Sequence, residues 1–130
     1  MTFGAKALGG ALAAGAAAVI LAAGPAAAGT DVYVDTTDPW NSAAAGFHAY
    51  GEIFTVCDNR ADGMRASGHI GWLDSKASHW VPLEDANGAN NSCARLDLEI
   101  PEGKTVTVEI CVKDGAKGTP KYCAIKRGVA

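Results

Sequence analysis

The stretch Cys93-Ala94-Arg95-Leu96-Asp97-Leu98-Glu99-Ile100-Pro101-Glu102-Gly103-Lys104-Thr105-Val106-Thr107-Val108-Glu109-Ile110-Cys111-Val112-Lys113 decides the fold. Its first eight residues alternate: Ala94, Leu96, Leu98 and Ile100 point one way, and Arg95, Asp97 and Glu99 the other. Pro101–Lys104 carries turn residues, and the alternation then resumes with Val106, Val108, Ile110 and Val112. Side chains on a strand change face at every residue, so this pattern predicts two strands, each with one buried and one wet face.

The same reading extends in both directions. Thr30–Asp35 is β-branched and alternating, and predicts a first strand. Thr36–Ser42 holds Asp38-Pro39 and reads as a loop. Ala43–Gly46 has the composition of one helical turn, and His48–Cys57 predicts the second strand. Met64–Leu73 predicts the third, with Gly68 and Gly71 marking a bulge or a close backbone approach. Asp74–Ser92 reads as long and irregular, with His79–Leu83 as a short edge strand. Tyr122–Lys126 is the last strand. No segment after residue 28 sustains a helical period. Short strands with a turn every ten or so residues predict an all-β fold, a small immunoglobulin-like antiparallel sandwich.

Met1–Ala28 has a different character. One lysine, Lys6, precedes an Ala-rich apolar run to Ala23, and Gly24-Pro25-Ala26-Ala27-Ala28 closes it with small side chains. That order predicts a secretory signal peptide cleaved after Ala28. The run has few large apolar groups and stops at Pro25, so stable membrane insertion is not expected. Residues 29–130 then form the one domain. Without Lys6 the eleven basic residues become ten against fourteen acids, a formal charge of −4. The basic residues near the C-terminus, Lys113, Lys117, Lys121, Lys126 and Arg127, read as a solvated hairpin, and no nucleic-acid partner is expected from so acidic a chain.

Cys57, Cys93, Cys111 and Cys123 are an even set in an exported chain, which implies two disulfides. Three connectivities exist. Cys111 and Cys123 flank the turn-rich Lys113–Pro120 and suit a hairpin clamp, which leaves Cys57 with Cys93. The spacings lack the close ligand pairs of a zinc site. Cys57, Cys93 and Cys111 lie out of phase with the apolar residues of their strands, so the bridges are expected on the sheet surface or rim.

Motifs for chemistry are sparse. Asp58-Asn59-Arg60-Ala61-Asp62-Gly63 has the opening of a calcium loop, but Arg60 stands at a ligand position and His69 where the closing glutamate belongs. It reads as a turn. The alternation allows His48 and His69 on neighbouring strands, where with an acid they would form a weak metal or acid–base site, but three scattered histidines in a small domain read as surface or packing residues. Nucleophile and phosphate-loop motifs are missing, so no catalytic residue, metal or cofactor is assigned. Asn90-Asn91-Ser92 has the form of a glycosylation acceptor. Trp40 and Trp80, read as loop residues, are the leading contact candidates together with His79, because an exposed indole on a rigid frame is an effective anchor.

Val56–Gly63, Cys93…Ile100-Pro101-Glu102-Gly103, Val108–Val112 and Cys123 resemble small uncharacterised secreted β-sandwich proteins of high-GC Gram-positive bacteria, over roughly Val32 to Ile125. The resemblance implies export, two disulfides and an immunoglobulin-like shape, and carries over no activity. The expected function is a secreted, non-enzymatic module that binds an extracellular protein or a cell-surface polymer. Two alternatives stand beside it: a protease inhibitor presenting His79–Asn91, and a small hydrolase using His48 or His69 with a carboxylate.

Overall fold

The computed structural model describes residues 29–90 and 92–130. The proposed signal segment Met1–Ala28, its cleavage site and Asn91 lie outside the described residues. In chain order the strands are β1 (Val32–Asp35), β2 (Ala43–His48), β3 (Ile53–Asp58), β4 (Arg65–Leu73), β5 (Ser78–Asp85), β6 (Ala94–Asp97), β7 (Thr105–Lys113) and β8 (Lys121–Val129). They form two antiparallel four-stranded sheets, ordered β1-β2-β3-β6 and β5-β4-β7-β8. Among the described residues there is no helix, and none long and apolar enough to cross a membrane.

The alternation read from Cys93 to Lys113 is the core pattern of both sheets. Val106, Val108 and Ile110 of β7 are fully buried and meet Phe47, Phe54 and Val56 from the other sheet. β6 pairs over only four residues, Phe54 facing Leu96 and Val56 facing Ala94, yet Ile100 beyond it still reaches the core. Burying these side chains is the main favourable term for folding, at about 1.5–3 kcal/mol for each large one.

Three expectations are corrected. Ala43–Gly46 is not a helical turn but part of β2, which pairs with β1 on one side and β3 on the other. The helix preference of Ala is small beside two flanking ladders of hydrogen bonds, and Ala43, Ala44 and Ala45 are all buried. His48–Cys57 is not one strand. The chain reverses at Ala49–Glu52, where the Glu52 amide donates to the Ala49 carbonyl, and Gly51 (φ 86°) and Glu52 (φ 49°) take the left-handed region. The tight turn pairs His48 with Ile53 and Phe47 with Phe54, so the buried phase switches from odd positions in β2 to even positions in β3. Asp74–Ser92 is more regular than expected: β5 zips along β4 from Leu73–Ser78 to Ala66–Asp85. Pro82 lies within β5, and a proline is accommodated on an edge strand, which has one side unpaired.

Gly68 and Gly71 mark close approaches. A Cβ at 68 would strike Val56 across the core, and one at 71 would strike the Trp80 ring. The disulfides are Cys57–Cys93 and Cys111–Cys123, with Cα separations of 4.4 and 4.2 Å. Each ties neighbouring strands of one sheet, and neither crosses the sandwich. Cys93 and Cys123 are exposed, while Cys111 is buried beside a bulge in which Tyr122 (φ 55°) and Cys123 stand opposite it. In the loop-entropy account each bridge is worth about 3–4 kcal/mol.

Candidate functional site

Register builds one row of side chains across the outer face of the second sheet. Trp80 of β5 pairs with Gly71 of β4, Gly71 with Thr107 of β7, and Thr107 with Arg127 of β8. Strands lie about 4.8 Å apart, so Trp80 and Arg127 stand roughly 14 Å apart at their backbones. Between two long side chains lie a glycine and a threonine. Tall walls on a low floor make a groove of about 630 Å³, closed at one end by Leu73, Thr105 and Lys104.

Trp80 is 50% exposed, yet it is held in place. Its ring stacks on His69 with centroids 5.2 Å apart and planes 8° from parallel. The ring edge fills the space a side chain at 71 would take. Such packing fixes an aromatic platform before any ligand arrives, which lowers the entropic cost of binding. His69 Nδ1 lies 3.4 Å from a Glu109 carboxylate oxygen, and no hydrogen bond of good geometry satisfies that nitrogen.

Charge on this face is unevenly distributed. At the far end Glu84 takes ion pairs from both Lys113 and Arg65, the latter at 3.1 Å. Partial burial would raise the Glu84 pKa, but the hydrogen bonds and charges of Lys113 and Arg65 outweigh it and hold the carboxyl below its ordinary range. Arg127 and Lys104, which line the groove, have no ion-pair partner among the described residues, and no acid lines it. The groove is thus locally positive in a chain of formal charge −3.

The other tryptophans differ. Trp72 is 9% exposed and belongs to the core, stacked on His79 with centroids 4.5 Å apart. His79 therefore seals the end of the core, and its Nε2 lies 2.7 Å from Asp74. It flanks the groove beside Trp80. Trp80 is a strand residue: the short edge strand expected at His79–Leu83 lies within the longer β5, and the reading of Trp80 as a loop residue is corrected. Trp40 is 63% exposed on the loop 36–42. That loop is organised by Asp38. Its carboxylate accepts hydrogen bonds from the Thr36 hydroxyl, the Ser42 hydroxyl (2.6 Å) and the amides of Ser42 and Trp40. Burial works against the charge, but these donors win and pull the Asp38 pKa down to about 2. The Arg60 guanidinium lies 3.9 Å from the Trp40 ring centroid, so one face of that indole is already covered.

His48 and His69 do not sit on neighbouring strands. His48 is on β2 of the first sheet, where its Nδ1 lies 2.8 Å from Asp31, and His69 is on β4 of the second. Asp58–Gly63 behaves as turn chemistry: Asp58 accepts the Arg60 amide and Asp62 the Met64 amide. Sequence reasoning passed over Thr107 and Arg127. Their alternation phase was visible, but which strands stood beside which was not. Among the described residues no group of three or more His, Cys, Asp or Glu side chains is placed to hold a metal ion. Comparison with protein-family models, curated proteins and solved structures finds no match for this chain.

Proposed function

We propose that the protein is an exported, non-enzymatic module that binds an extracellular protein or a cell-surface polymer in the groove beside Trp80. The observation that carries this reading is the row Trp80–Gly71–Thr107–Arg127: a fixed indole and a free guanidinium face each other over a floor of small residues. Few positions in a fold hold a large exposed aromatic rigid, and contact energy concentrates on such anchors. Export is supported by two disulfides and by the leader-like Met1–Ala28. The resemblance to secreted proteins of high-GC Gram-positive bacteria belongs to the same reading.

We also read the scaffold as immunoglobulin-like. The orders β2-β3-β6 and β5-β4-β7-β8 follow the A-B-E and C′-C-F-G strand orders of that class, with β1 as an added edge strand. In that correspondence Cys57 and Cys111 occupy the B and F strands, but each bonds within its own sheet. Inhibition of a protease is supported less well, since most of His79–Asn91 is committed to β5 and cannot extend into another active site. The hydrolase reading lacks a nucleophile: His48 and His79 hydrogen-bond to carboxylates, and no hydroxyl or thiol is bonded to any of the three histidines among the described residues.

Intrinsic fluorescence titration against soluble wall polysaccharides and extracellular proteins tests the proposal. Quenching that disappears in W80F is expected. Saturable binding that persists unchanged in W80A and maps to the first sheet would overturn it.

A further inference from the structure

We infer that the groove takes a uronate-type ligand: a pyranose polymer that carries carboxylates. This rests on the proposed groove and adds the chemistry of its occupant. A pyranose ring presents an apolar C–H face and an equatorial belt of hydroxyls. The Trp80 indole offers a flat apolar surface for the first. Thr105, Thr107 and Ser78 offer hydroxyls on the floor and at the rim for the second. The opposite wall supplies what a neutral sugar would not need. The Arg127 guanidinium is exposed, has no acidic partner, and is planar with paired donors that match a carboxylate bidentately. Lys104 adds a second positive charge.

Charge complementarity selects among occupants. No carboxylate lines the groove, whereas the two cations at the far end of the same sheet share an ion pair with Glu84. Positive charge left free in an otherwise acidic chain fits an anion. An acidic peptide satisfies Arg127 but makes poor use of a single indole face over a hydroxyl floor, so the sugar is favoured.

The test compares three probes on the disulfide-bonded chain by NMR titration and calorimetry: polygalacturonate, the same polymer fully methyl-esterified, and poly-L-glutamate. Polygalacturonate is expected to shift the Trp80 indole N–H and to bind at least tenfold more tightly than the ester. R127Q, a surface change with little bearing on folding, should bring the acid form down to the affinity of the ester. W80A should weaken both forms by about tenfold or more, in the range of one lost stacking contact; W80F, which retains a ring, should lose less. Rising salt should weaken the acid form only. Equal binding of acid and ester at Trp80 would overturn the uronate inference and leave the groove standing. Tighter binding of poly-L-glutamate, indifferent to W80A, would overturn the sugar. No shift at Trp80 with any probe would overturn the groove as well.

Discussion

Trp40 and Trp80 are both half or more exposed, and they sit in opposite circumstances. Trp40 rides on a loop whose shape is set by a buried carboxylate, and a guanidinium of the same chain covers one face of its ring. Trp80 rides on a strand, is backed by His69 and a glycine, and looks across a groove at an arginine with no partner. Exposure alone does not distinguish a binding surface from a satisfied one. What distinguishes them is whether the surrounding groups are already used within the fold.

The largest effect is expected where the Trp40 loop is held. D38A removes the acceptor for two hydroxyls and two amides and leaves buried donors without partners, a cost of about 2–4 kcal/mol. Thermal unfolding should show it, with the loop 36–42 losing hydrogen-exchange protection. The same group gives a pH signature. Its folded pKa, about 2, is below the ordinary 3.8, so its stabilisation is complete above pH 4 and disappears as pH falls through 2. D38A should flatten that part of the acid-unfolding curve.

Next is G71V. A β-branched side chain there must displace the Trp80 ring, with a strain of about 1–3 kcal/mol and loss of the groove wall. Near-ultraviolet circular dichroism should lose the ordered indole signal. A variant as stable as the parent with Trp80 unmoved would show that the glycine does not position the ring.

A smaller change of opposite sign is expected beneath Arg60. Burial raises the Asp58 pKa, aided by the charges of Asp62 and Asp85, and one Asp58 oxygen is buried without a partner. An acid with a raised folded pKa costs stability once it ionises, so the protein loses stability as pH rises through that range. D58N should therefore stabilise the fold at neutral pH by about 0.5–1 kcal/mol if the Arg60 amide keeps its acceptor, seen as a raised unfolding temperature. Smallest of all is W40A, within about 0.5 kcal/mol as a surface change, with groove binding unaltered. If W40A instead abolished binding, the contrast between the two indoles would be reversed.

The groove shows why part of this site was readable and part was not. Trp80 and Gly71 stood out one at a time, the first as an exposed aromatic and the second as a close-approach glycine. Nothing in the chain said that they touch, because residues 71 and 80 meet only if β4 and β5 pair in that one register. Arg127 reads as one member of a solvated basic hairpin, and only the pairing of β8 with β7 sets it opposite Thr107. His48 and His69 shared a favourable phase, yet phase is blind to which sheet a strand joins.

The amino-acid order alone therefore determined the period-2 strands, the apolar stripe from Leu96 to Val112, the aspartate turns and the even set of cysteines that forms two disulfides, because each of these is read from a residue and its near neighbours. Which strands lie side by side, that Ala43–Gly46 is a buried strand, and that an indole faces an unpartnered guanidinium were decided only by tertiary structure. Those features arise from contacts between residues far apart in the chain, where burial and strand pairing outweigh local preference.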